Sequence, residues 1–205
     1  MIKIHKPTLT LMCGLPRSGK TTWISKNKGD SIIISPDEIR KEMFGHQFHE
    51  PANKFVFGIA ENITNILLKQ GKDVILDATH IVTGLRSTWR NIASKNKAKV
   101  RIIWVYSSKD PLKNFLYSLE RNYFSPDDCK LPNEALLNMA LYFTPPDKKL
   151  EGEWFEIVEW NNVHKRRLPL DKRIKIDKKD DLFSILDKWR ALWHVEPVEK
   201  TKHDS

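Results

Sequence analysis

The chain has 205 residues, 35 Lys or Arg against 26 Asp or Glu, and a formal net charge of +9. With 30% charged residues, it contains no apolar run near the ~20 residues that a membrane-spanning helix needs. Two cysteines exclude a disulfide scaffold and a Cys-rich metal site, so Cys13 and Cys129 are expected as reduced thiols. The opening Met1-Ile2-Lys3-Ile4-His5-Lys6 lacks the unbroken apolar stretch of a secretory leader. A cytoplasmic protein with no membrane partner is expected. The positive charge attracts polyanions without naming one.

Hydrophobic periodicity divides the chain into alternating elements. The short apolar run Thr8–Cys13 ends at Gly14 and predicts a buried strand. A helix over Gly19–Lys28 follows, closed by Gly29. The β-branched Ser31–Ile34 predicts a second strand. Ser35-Pro36-Asp37-Glu38 then opens a helix, with serine as N-cap, proline at the first position and glutamate at the third. A long helix over Ala52–Gln70 leads to a third strand, Val74–Leu76. Thr83 is expected to cap a helix running to Asn96. Val100–Tyr106 is a fourth strand, and Asp110-Pro111 opens a helix to about Asn122. A helix over Pro132–Phe143 stops before Pro145-Pro146, and Phe155–Trp160 alternates as a strand. Continuous apolar strands alternating with helices predict an α/β fold, a parallel five-stranded sheet with helices on both faces.

The C-terminal part reads as an appendage. From His164 to Asp181 there are eight Lys or Arg and four Asp, a solvated stretch or a phosphate-tracking patch. Leu182, Leu186, Trp189 and Trp193 then recur at helical spacing. The expected organisation is a main α/β domain over 1–163, with a helical segment at about 110–145, and a basic extension over 164–205 carrying an amphipathic helix at about 181–195. That helix is the one feature that suggests a homo-oligomer. The tail beyond Pro197 is polar.

Gly14-Leu15-Pro16-Arg17-Ser18-Gly19-Lys20-Thr21, with Thr22 behind it, matches G-x-x-x-x-G-K-[ST]. Glycines let the backbone curl until successive N–H groups face one point, and the following helix adds its positive end. Lys20 then reaches the β- and γ-phosphates of a nucleotide such as ATP, and the Thr21 hydroxyl can ligate Mg²⁺. A strand before and a helix after supply the context that the motif requires.

Asp37 follows the second strand, so in a parallel sheet it shares the carboxyl edge with the phosphate loop. Arg40, three residues on, lies on the same helix face. Such a pair suits a hydroxyl acceptor: the carboxylate takes the proton and the guanidinium holds a phosphate. A first-turn acid is also what the helix dipole favours, so a purely structural role stays open. Asp77 ends the third strand, where an acid can hold Mg²⁺ or its waters, or cap a turn. Arg121, near the end of its helix, could neutralise a transferring phosphoryl or only answer the dipole. Arg17 and Arg86 are further phosphate candidates, and His80 carries no metal assignment.

In this order, Gly14 to Thr21, Asp37-Glu38-Ile39-Arg40, Val74-Ile75-Leu76-Asp77-Ala78-Thr79 and Arg121-Asn122 with Leu131-Pro132 resemble the phage-type polynucleotide 5'-hydroxyl kinases, P-loop kinases of the adenylate-kinase-like superfamily. The resemblance runs from about Thr8 to Trp160. It implies transfer of the ATP γ-phosphate to a 5'-hydroxyl end of DNA or RNA, with Mg²⁺. It implies Asp37 as general base, Arg40 as clamp on the acceptor's neighbouring phosphate, Asp77 near the site and Arg121 as a lid arginine. Where that family offers a second lid arginine this chain has Ser125, with Lys130 nearby. Two other readings stand beside it: a P-loop kinase for a hydroxymethylated base, nucleoside or small molecule, and an ATP-binding nucleic-acid binder without transfer.

Overall fold

A computed structural model describes residues 6–45, 52–126, 130–152, 155–161 and 174–193. The first five residues, Cys129, the basic residues of 164–173 and the polar tail lie outside these. The five apolar runs form β1 (Thr8–Cys13), β2 (Ile32–Ile34), β3 (Val74–Leu76), β4 (Lys99–Tyr106) and β5 (Phe155–Asn161). They make one sheet in the order β2-β3-β1-β4-β5. Every pairing is parallel, with Leu9 beside Val74 and Val100, and Ile102 beside Ile157. The interleaved helices in the same unit are α1 (Lys20–Asn27), α2 (Pro36–Phe44), α3 (Asn53–Lys69), α4 (Thr83–Lys95) and the short α7 (Lys148–Glu151).

The strand order dictates which helix covers which face. The connection after β1 skips over β3 to reach β2, whereas those after β2 and β3 run back the other way. Right-handed crossovers therefore set α1 on one face and α3 and α4 on the other. The cores agree, because successive residues of a strand point to opposite faces. Leu9, Leu11 and Cys13 of β1 pack with Ala60 and Leu68 of α3 and Trp89 and Ala93 of α4. Met12, Ile75, Ile103 and Val105 pack with Ile24 of α1. β2 is an edge strand, which leaves Ile32 and Ile33 exposed.

Helix starts follow local chemistry. The Ser35 hydroxyl accepts from Glu38 N at 3.3 Å, with Pro36 at the first position of α2. Asp110 caps α5 (Pro111–Tyr123), accepting from Leu112 N and Lys113 N. At α4 the expectation fails: Val82 is the N-cap and offers no side-chain bond. Thr83 Oγ1 instead accepts from Arg86 Nη2 at 3.1 Å.

The chain forms two compact units, 1–106 with 142–162, and 107–141 with 163–205. The second unit is built from α5, α6 (Asn133–Leu141) and α8 (Leu182–Trp193). Phe115, Leu119, Leu136, Ile185, Leu186 and Trp189 make its core. The Leu186–Trp189 stripe shares one core with α5 and α6, because a stripe of that kind needs an apolar partner and those helices supply it. Within this unit the Asn122 side chain pairs with Leu131 both ways, accepting from its N–H at 3.0 Å and donating to its carbonyl at 2.7 Å.

Candidate active site

The phosphate loop joins β1 to α1. Gly14 sits at φ +149°, and a Cβ there would stand 2.3 Å from the Val105 carbonyl oxygen, so only glycine passes beneath β4. Its N–H donates to Thr79 O at 3.0 Å, tying the loop to the segment after β3. Gly19 at φ +101° and Arg17 at φ +63° complete the curl. Ser18 N donates to Leu15 O at 3.2 Å, and Gly19 is the N-cap of α1 without a side-chain cap. Backbone donors at that helix end are the element that an anion meets.

Lys20 is buried, and its Nζ donates to the loop's own carbonyls, Gly14 O at 3.1 Å and Leu15 O at 2.9 Å. Burial lowers its pKa, while Asp77, Cys13 and Asp37 favour the charged ammonium. Burial holds the Asp77 carboxyl, just past β3, above the usual carboxylate range, with the Lys20 charge opposing and the Asp37 charge adding to that shift. Lys20, Asp37 and Asp77 thus act on one another at the carboxyl edge of β1, β2 and β3.

Asp37 lies in the first turn of α2 with its side chain 66% exposed. Arg40 Nη1 donates to Asp37 Oδ1 at 2.5 Å, and its Nη2 donates to Asn53 Oδ1 at 2.7 Å, at the start of α3. The Arg40 guanidinium is buried, at 4% exposure. Where the sequence reading gave Arg40 an acceptor phosphate, its described contacts are Asp37 and Asn53. Arg121 stands in the second unit, in the last turn of α5, where burial lowers its pKa. Ser125 Oγ donates to Arg121 O at 2.8 Å, and Lys130 lies 5.8 Å from the centre of the Tyr123 ring.

Arg86 is not a phosphate contact. It is fully buried and donates through Nε and Nη2 to Glu151 Oε1 at 2.7 and 2.5 Å, and through Nη1 to His80 O at 2.7 Å. Cys13 donates to the same carbonyl at 3.5 Å, and burial pushes its thiol up to about 12. His80, at φ +40°, is buried and hydrogen-bonded to Met12 O at 2.7 Å, and burial lowers it to about 4. This cluster underpins the segment that carries Asp77. Sequence reasoning missed Glu151 and Asn53. Glu151 stands in a Lys-rich stretch that reads as solvated, and Asn53 belongs to no motif. Its place in the first turn of α3 was the one available signal.

Among the described residues no three His, Cys, Asp or Glu side chains gather to hold a metal ion. Mg²⁺ does not need such a cage: it keeps several waters and takes one or two protein oxygens plus phosphates. The Thr21 hydroxyl and the Asp77 carboxylate, which share the carboxyl edge of the sheet, fit that donor set.

A family model described as an AAA domain matches residues 9–146. No curated protein matches the chain. Among solved structures it resembles a chain of the Pnkp1/Rnl/Hen1 RNA repair complex, with 19% identity and a TM-score of 0.56. That match covers 67% of this chain and 44% of the other, so the chain spans less than half of that relative. It also resembles the PezAT toxin-antitoxin system of Streptococcus pneumoniae, with 19% identity, a TM-score of 0.56, and 95% and 81% coverage. A fungal RNA kinase matches at 13% identity and a TM-score of 0.52, over 94% of this chain and 99% of that one. At these identities the likenesses show a shared fold. The matched model takes in the phosphate loop, Asp37 and Asp77, and the chain belongs to that AAA domain family, with the fold of a P-loop kinase.

Proposed function

We propose that this P-loop phosphotransferase moves the γ-phosphate of ATP to the 5'-hydroxyl end of DNA or RNA. The observation that carries the reading is Asp37: an exposed carboxylate, gripped by a buried arginine, that shares its field with Lys20 and Asp77. A base there meets the alcohol as it meets the terminal phosphorus. The net charge of +9 and the motif set favour a polyanionic acceptor. Two like-folded structures, a chain of an RNA repair complex and a fungal RNA kinase, support an acceptor of that class.

In-line transfer leaves little covalent work for the protein, so positioning and charge dominate. The loop N–H groups seat the phosphates. Lys20 exchanges the Gly14 and Leu15 carbonyls for β- and γ-phosphate oxygens. Asp37 takes the acceptor's proton, and Arg40, fixed to Asn53, holds that carboxylate in place. The family resemblance assigns Arg121 to the phosphoryl charge. Thr21 and Asp77 would hold Mg²⁺, which supplies neutralisation of phosphate charge when bound.

The test follows labelled phosphate from ATP to a 5'-hydroxyl oligonucleotide beside a panel of free nucleosides, with the labelled position mapped. Transfer to the oligonucleotide 5' end is expected, and Asp37→Ala is expected to lose about 10²–10⁴ in rate while keeping nucleotide affinity. Transfer to nucleosides alone overturns the polynucleotide reading. Equal loss of transfer and of nucleotide binding in Asp37→Ala makes Asp37 structural.

A further inference from the structure

We propose that the amino-terminal rim of the sheet holds a second anion site, which grips the phosphate backbone of the nucleic-acid acceptor away from its reacting end. This rests on the polynucleotide reading above. A groove of about 740 Å³ opens in the first unit, lined by Lys6, Arg90, Lys97, Lys99 and Arg101 with Glu156. Lys99 and Arg101 are the first and third residues of β4, and Glu156 is the second of β5, so the groove lies at the rim opposite the phosphate loop. Its single acid is already held, because Arg101 Nε donates to Glu156 Oε2 at 2.9 Å. Among the described residues no ion pair engages Lys97 or Lys99.

Lys97 gives an independent sign. It sits at φ +53°, in the left-handed turn that ends α4, where its N–H donates to Ser94 O and Ala98 N donates to Ala93 O. Glycine or asparagine suits that position, and a lysine there is strained. A strained residue that adds a cation to a cationic groove points to use of its charge.

The lining also discriminates between partners. A protein-binding surface draws its affinity from aromatic and large apolar anchors. This groove has none: beside the cations stand Thr8, Asn91, Ser94, Ala98 and Val100. Lys and Arg interleaved with hydroxyl and amide groups are what phosphate oxygens meet, without reading sequence. The eight residues of β4 separate the two rims by about 26 Å, so an acceptor shorter than roughly eight nucleotides reaches only one.

The experiment compares the full chain with Lys97→Gly and with Lys97→Gly/Lys99→Thr, on 5'-hydroxyl oligonucleotides of four and twenty residues. Lys97→Gly relieves the left-handed strain, so its melting temperature is expected to stand at or above the parent's, which separates lost charge from lost fold. For the twenty-residue acceptor, the double variant is expected to raise KM about tenfold at unchanged kcat and to flatten the salt dependence of binding by about 1.4, two phosphates at 0.7 each. The four-residue acceptor is expected to be unaffected. Equal effects on both lengths, or none on the longer, overturn the groove while transfer itself stands. Displacement of the labelled twenty-residue strand by poly-glutamate as readily as by unlabelled strand also overturns it, in favour of an acidic protein. The same flattening of the salt dependence in the double variant, with a parent that transfers to neither length, keeps the groove and sinks the acceptor reading instead.

Discussion

Two buried arginines in one unit hold one carboxylate each, and the carboxylates differ. Arg86 and Glu151 are sealed, at 0% and 1% side-chain exposure. Arg40 is as deep, at 4%, but Asp37 is 66% open. The chemistry of the pair is the same; its surroundings decide what it does. A sealed pair has every contact inside the protein and fixes the backbone around it. Arg86 joins α7, α4 and the His80 carbonyl, and so sets the path of the chain from Asp77 onward. A half-open pair has a rigid back and a reachable front, which is the form of a base that must hold still while an alcohol approaches.

The largest expected effect breaks the sealed pair. Arg86→Ala strands the Glu151 carboxylate in the core and is expected to cost about 3–5 kcal/mol of stability, read from the urea midpoint. Arg86→Met with Glu151→Leu removes both charges at similar volume and is expected to recover most of that loss. A normal midpoint in Arg86→Ala with transfer abolished would place Arg86 with the reaction and dissolve the contrast.

The sequence carried the fold because each strand announces itself twice, by its apolar run and by what stops it. Val74–Leu76 is only three residues long, yet Gly71 and Asp77 bracket it, and the structure places it there. The phosphate loop was legible for the same reason, since its glycines and lysine serve local backbone geometry. Asp37 and Arg40 were legible as a pair through their i, i+3 spacing. What Arg40 touches was not, because Asn53 lies 13 residues on and only tertiary folding brings it back. Glu151 is 65 residues from Arg86, so no local pattern could show that one acid among lysines is the core's counter-charge. Arg86 itself was read as a phosphate candidate from its residue type and helix, neither of which shows that it is buried. The C-terminal helix was found from its stripe, but the stripe names no partner, and α5 and α6 were that partner.

A titration sharpens the sealed side next. Burial holds His80 at about 4 against an ordinary 6.5, with the Arg86 and Lys20 charges pushing the same way. Its folded-state pKa is depressed, so the unfolded chain takes up the proton first. The stability that the neutral ring contributes is complete above about 6.5 and is lost as pH falls towards 4, by about 3 kcal/mol at most. Urea midpoints at pH 7, 5.5 and 4 measure it. His80→Asn keeps an amide donor for Met12 O and tolerates the positive φ, and it is expected to flatten that part of the profile. Parallel profiles for parent and variant would remove His80 from the account.

The smallest effect tests the open pair from behind. Asn53 touches neither nucleotide nor acceptor in this account; it accepts one hydrogen bond from Arg40, which in turn holds Asp37. Removing one such bond to a charged donor is worth about 1.5 kcal/mol, so Asn53→Ala is expected to lower kcat about tenfold. KM for ATP is expected to stay as it was, because the phosphate loop is unchanged. Asn53→Asp keeps an acceptor oxygen for the Arg40 guanidinium and is expected to restore most of the rate. A structural role alone would move the melting temperature and leave kcat per folded molecule alone. If Asn53→Ala does that, Asp37 is held well enough by α2 itself, and the rigid back of the open pair is the helix rather than the arginine.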